Sequence, residues 1–111
     1  MKATGMALKL RPGCYDEYKK RHDELWPELA DVMHENGINM AIYRFEDTLF
    51  IYGTAPSAEA WQRVEDHPVT PRWNEHMAEV LETDDNGELI FHDLPQAFAF
   101  GAFNFAEQPP T

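Results

Sequence analysis

Tyr18 and His22 stand four residues apart in the run YDEYKKRHDELWPEL, so on a helix they share one face. Their stripe also carries Tyr15, Leu25, Leu29 and Val32 and is otherwise apolar. An imidazole titrates near neutral pH, so a histidine turned into a pocket there can give or take a proton. A tyrosine one turn away can hydrogen-bond a polar ligand. The same spacing fits a core histidine satisfied by a backbone carbonyl, and the pattern alone leaves both readings open. Trp73 and Asn74 lie side by side further along. An indole face suits the C–H face of a sugar, and an amide suits its hydroxyls. Plain core packing of Trp73 is the competing reading.

Other chemistries find less support. The five histidines come without partner cysteines and form no HxH or HxxxH pair, so no metal site is expected. There is no glycine-rich phosphate loop, no GxSxG and no CxxC. Cys14 is the single cysteine, which excludes an intrachain disulfide, and no paired base accompanies it as a nucleophile. Arg72 and His76 share a helix stripe that reads as solvated, and Trp26 and Trp61 read as packing residues.

The elements that must position these residues follow from the pattern. Met6, Leu8 and Leu10 alternate with Ala7 and Lys9, which predicts a strand over 2–10, ended by Pro12-Gly13. The helical stripe through Tyr18 and His22 runs on to Asn36-Gly37, a helix stop, with a break predicted near Trp26 because Pro27 lacks a backbone donor. Two β-rich runs, 38–45 and 49–54, are separated only by Glu46-Asp47-Thr48, which predicts a hairpin. Pro56-Ser57 opens a helix closed at His67-Pro68. Thr70-Pro71 opens another, as cap and first-turn proline, carrying Trp73, Met77, Val80 and Leu81. Strand-like segments over 88–91 and 96–103, interrupted at Pro95, complete the chain. The order β-α-β-β-α-β, with the second helix split in two, is the ferredoxin-like arrangement of an α+β protein: one antiparallel sheet with helices on one face. The aromatic run AFAFGAFNF predicts an apolar sheet face that meets a second copy, hence a homodimer.

With 111 residues, the expectation is a single domain over 1–105 and a loose polar tail over 106–111. Lys and Arg number 9 against 20 Asp and Glu, a net charge of −11, which excludes nucleic acid and anionic membranes as expected partners. The N-terminal residues contain no apolar core of signal-peptide length, and no stretch approaches a membrane span, so a soluble cytoplasmic protein is expected.

Over EYKKRHDELWPEL and HENGINMAIYRF the chain resembles the L-rhamnose mutarotase family. The likeness extends from about Ala3 to Phe100, through Gly37, Ala41–Tyr43, Leu49-Phe50 and the R-W-x-x-x-M string at Arg72–Met77. It implies a dimeric α+β barrel on a ferredoxin-like protomer. It also implies interconversion of the α and β anomers of a 6-deoxy pyranose, a monosaccharide, without metal or organic cofactor. By this resemblance His22 falls on the proton-donating histidine, Tyr18 on a substrate-binding tyrosine, and Trp73 on the first of two substrate-contacting tryptophans. The second of those tryptophans is Asn74 here, and a tyrosine of the family is replaced by Met40. Met40 is similar to the L-fucose-handling branch, which sets L-fucose beside L-rhamnose as the implied sugar. Small α+β barrels also include cofactor-free monooxygenases, and a non-catalytic sugar-binding module is a second alternative.

Overall fold

The protein is described by a computed structural model over residues 1–103. The expected tail over 106–111 lies outside the described residues. The elements in chain order are β1 (Lys2–Lys9), α1 (Tyr15–Asp23), α2 (Pro27–Glu35), β2 (Asn39–Phe45), β3 (Thr48–Ala55), α3 (Ala58–Asp66), α4 (Val69–Met77) and β4 (His92–Asp93). A 3₁₀ turn, Gly101–Phe103, follows. The four strands form one antiparallel sheet in the order β2-β3-β1-β4.

Strand alternation separates two faces. Thr4, Met6 and Leu8 of β1 point inward with Met40 and Ile42 of β2 and Ile51 of β3. The neighbouring positions, among them Tyr43, Phe50 and Tyr52, point to the other side and stay exposed. The helices cover the inward face. Leu8, Leu10, Leu29, Val32, Leu49, Val69, Trp73 and Met77 form the buried cluster beneath them.

The break between α1 and α2 has a local cause. Trp26 is extended (φ −60°, ψ 129°) and Pro27 takes the first helical position, where its missing N–H is not needed. Asn36 caps α2, and Gly37 follows with φ +69°, a conformation that favours glycine. Ser57 caps α3 by accepting a hydrogen bond from the Ala60 amide.

Two expectations need correction. The fourth helix begins at Val69, not at Thr70. Pro68 already has helical angles, the His67 Nδ1 accepts from the Val69 amide, and the Thr70 hydroxyl donates back to the Val64 carbonyl instead of capping its own helix. The last strand is also far shorter than expected. Leu89 makes only an isolated bridge to Thr83, and just His92 and Asp93 pair with β1, opposite Ala7 and Met6. Pro95 cannot donate to a ladder, and residues 96–100 carry no secondary structure. Phe98 and Phe100 are 80% and 83% exposed.

Candidate active site

The inward sheet face does not meet the helices at every point. Between them lies a cavity of about 840 Å³, within the range of small-molecule sites. Tyr18, His22, Trp73, Asn74 and Met40 all line it. Helix spacing brings Tyr18 and His22 together on α1, with ring centroids 4.3 Å apart. The His22 ring meets Trp73 of α4 edge-on at 5.3 Å. Asn74 follows Trp73 on the same helix, so aromatic and amide surface face the cavity next to each other.

His22 combines the two readings that its spacing left open. Its Nδ1 lies 3.2 Å from the Tyr18 carbonyl oxygen. A carbonyl only accepts, so this contact is a hydrogen bond when Nδ1 carries the proton. The neutral ring then keeps its lone pair on Nε2. Burial holds the His22 imidazolium below its ordinary range, while the Tyr18 carbonyl and the Asp23 carboxylate pull weakly the other way. His22 is therefore neutral at pH 7, with Nε2 ready to accept a proton. Burial pushes the Tyr18 phenol strongly upward, so it too is neutral, an uncharged hydrogen-bonding group.

A second, smaller cavity has a volume of about 240 Å³. Tyr18, His22 and Ile42 line both cavities. Lys19, Asp23 and Arg44 give the small cavity charged edges, and the Arg44 guanidinium sits 4.0 Å over the Tyr15 ring.

Several residues matter here besides those predicted for the site. Trp26 packs as its pattern implies: it meets Trp73 edge-on at 5.1 Å and stacks on His76 at 5.2 Å. His76 is thus half-buried, which corrects the expectation of a solvated stripe; Arg72 is exposed and pairs with Glu28 across to α2. Trp61 lines the cavity from α3 with Gln62. It presses so closely on β3 that a Cβ at Gly53 would lie 2.8 Å from its Cη2. The signal was present in the helical stripe Ala58, Trp61, Gln62 and Glu65, which lines the cavity while Gln62 and Glu65 stay exposed. Among the described residues, no group of three His, Cys, Asp or Glu side chains is placed to hold a metal ion. No helix among them is long and apolar enough to cross a membrane.

This chain and its architecture have parallels among known proteins. An L-rhamnose mutarotase of Brucella anthropi is 39% identical over 94 residues, covering 82% of this chain and 89% of that protein. One from Jannaschia sp. is 38% identical over 91 residues, covering 79% and 88%. The crystal structure of an L-rhamnose mutarotase from Formosa agariphila superposes with a TM-score of 0.77 at 25% identity, covering 91% of this chain and all of that one. The L-rhamnose mutarotase family profile matches residues 3–99, nearly everything the cavity is built from, and the chain belongs to that family of carbohydrate isomerases.

Proposed function

We propose that the large cavity binds a 6-deoxy pyranose and interconverts its α and β anomers, with His22 moving the proton. The observation that carries this reading is the neutral His22 ring, pinned through Nδ1 and lining the cavity beside Tyr18 and Trp73. Opening the ring breaks the bond from C1 to the ring oxygen and makes C1 an aldehyde. The anomeric hydroxyl loses its proton to His22 Nε2 as the C1–O bond pair moves to the ring oxygen. The resulting imidazolium hands that proton to the ring oxygen, and His22 is neutral again. Rotation about C1–C2 presents the other aldehyde face, and the reverse transfer closes the ring. Both oxygens are attached to C1, so one nitrogen serves both transfers. The neutral Tyr18 phenol orients a hydroxyl, and Trp73 covers the apolar face of the sugar with its methyl group.

The required acceleration is modest. Mutarotation proceeds unaided in water, and one positioned acid–base group supplies ~10²–10⁴-fold. L-Rhamnose is the first expected substrate, given the relatives. Asn74 and Met40 both line the cavity, and they bring an amide and a flexible thioether where the family carries aromatic rings. L-Fucose, which places its hydroxyls differently, is therefore the second sugar to test. The cofactor-free oxygenase and the non-catalytic binding module draw support from the fold alone.

The outer sheet face extends this reading to assembly. Tyr43 and Phe45 are 70% and 68% exposed, and Phe50 and Tyr52 adjoin them across β2 and β3. Pairing of this face with its own copy gives the homodimer. Saturation-transfer NMR on L-rhamnose and L-fucose, with and without protein, tests the activity. Faster anomer exchange for either sugar supports it, and no acceleration for both overturns it.

A further inference from the structure

The two halves of the site sit on different helices, and something must hold those helices together. Tyr18 and His22 belong to α1, Trp73 and Asn74 to α4. Arg21, beside His22 in sequence, spans that gap. Its Nη1 donates to the His76 carbonyl oxygen at 2.6 Å and to Glu79 Oε1 at 2.8 Å, and lies 3.4 Å from His76 Nδ1. Its Nε donates to Glu17 Oε2 at 2.8 Å on its own helix. The Arg21 side chain is only 17% exposed, unusual for an arginine on a helix this polar.

The His76 carbonyl is one that α4 cannot satisfy itself. The helix ends at Met77, and the amide four residues beyond His76, that of Val80, goes to the Met77 carbonyl instead. The guanidinium therefore caps the C-terminus of a neighbouring helix, where a cation is favoured by both the free carbonyls and the helix dipole. His76 in turn stacks on Trp26, Trp26 meets Trp73, and Trp73 meets His22 edge-on, so a chain of rings runs from His76 to His22. The cap lies one turn from Trp73 along α4 and one residue from His22 along α1.

We infer that Arg21 is a positioning residue, which docks α1 on the end of α4 and so sets the approach of His22 to Trp73 and to the bound sugar. This rests on the mutarotase reading of the cavity. Arg21 does not touch the cavity; it acts through His22 and Trp73. A planar donor fork reaching two groups at once is something an ammonium cannot reproduce. The titratable and charged groups that share a cavity with His22 are Tyr15, Tyr18, Lys19, Asp23, Tyr43 and Arg44 around the small one and Lys2, Glu65 and Asp93 around the large one, and α4 adds only the uncharged Trp73 and Asn74. Loosening the joint admits water beside the ring without bringing a new charge to it. The change expected in His22 is thus a return toward ordinary imidazole behaviour.

The test uses Arg21→Met, which keeps the apolar stem, and Arg21→Lys, which keeps the charge. Two readouts are needed: anomer exchange by saturation-transfer NMR across pH, and titration of the His22 ring signals. For Arg21→Met the expected result is a kcat loss of about tenfold in protein still folded by circular dichroism. The acid limb of activity and the His22 titration should both move upward, by about half a pH unit or more. Arg21→Lys should recover part of both. Glu79→Gln, which leaves the carbonyl cap in place, should change neither. Unchanged kcat and an unmoved His22 titration in Arg21→Met overturn the inference. So does an activity loss that only tracks the unfolded fraction while the titration stays put. Should Arg21→Met fail to fold, Arg21→Lys carries the same two readouts. If wild-type protein accelerates neither sugar, the mutarotase reading fails, and the His22 titration still decides whether Arg21 holds the joint.

Discussion

Leu49 and Phe50 are neighbours on β3 and face opposite worlds. Leu49 is fully buried beneath the helices, and Phe50 lies among exposed aromatic residues on the far side of the same sheet. Both faces are apolar. The inner face is covered by this chain's own helices, yet incompletely, and the gap is the cavity with His22, Tyr18 and Trp73. The outer face stays largely open: Phe103 meets Tyr52 edge-on at 5.0 Å, while Tyr43 and Phe45 remain exposed. On the proposed reading, the difference separates the face that stabilises the protomer from the face that would meet a second copy, and sets the proposed chemistry where the cover is imperfect.

The largest effect is expected inside. His22→Ala should lower anomer exchange by ~10²–10⁴-fold while leaving the circular dichroism spectrum unchanged, because His22 lies outside the buried cluster. Retention of full activity would show that the inner cavity does not depend on this ring. Leu49→Ala comes next, with a loss of about 2–5 kcal/mol in denaturant unfolding from the cavity it leaves. Phe50→Asp, one residue away, should cost the protomer only about 1 kcal/mol but abolish the proposed self-association, read by analytical ultracentrifugation of wild type and variant. Should Phe50→Asp unfold the protein as readily as Leu49→Ala, the contrast between the faces collapses. Trp73→Phe preserves an aromatic ring and should raise KM by up to about tenfold with kcat nearly unchanged, as measured over a range of sugar concentrations. A fall in kcat alone would assign Trp73 to the chemical step.

The smallest effect concerns pH. The folded-state pKa of His22 lies below its unfolded value, so between the two the unfolded chain binds the extra proton. Its contribution to stability is complete above the ordinary imidazole range, near ~6.5, and is lost as pH falls through the lower folded value. Thermal unfolding curves of wild type and His22→Gln should therefore run parallel above that window, and wild type should lose stability relative to the variant as pH falls through it. Parallel curves throughout would mean that the ring is solvated and that the inner face is no drier than the outer.

Much of this was legible before any coordinates. Period-two alternation marked β1 and the β2–β3 hairpin, and Pro27 and Gly37 marked where helices break or stop, because such signals depend on a residue's immediate neighbours. The pairing of Tyr18 with His22 on one face follows from helix geometry alone. The end of the chain was misread because aromatic, β-prone residues over 96–103 look like a strand wherever they lie. A strand needs an edge to pair with, and past Pro95 the chain has left β1. His76 was misread for a related reason: a helix stripe shows which residues face together, not which face another helix will cover. The sequence by itself determined the element order, the α+β class and the residue types able to move a proton or stack on a sugar. Tertiary structure alone decided that α1 and α4 bring those residues to one cavity, that Arg21 caps the helix opposite its own, and that His22 is dry enough to stay neutral. Those are distances between segments remote along the chain, and local sequence preference contains no term for them.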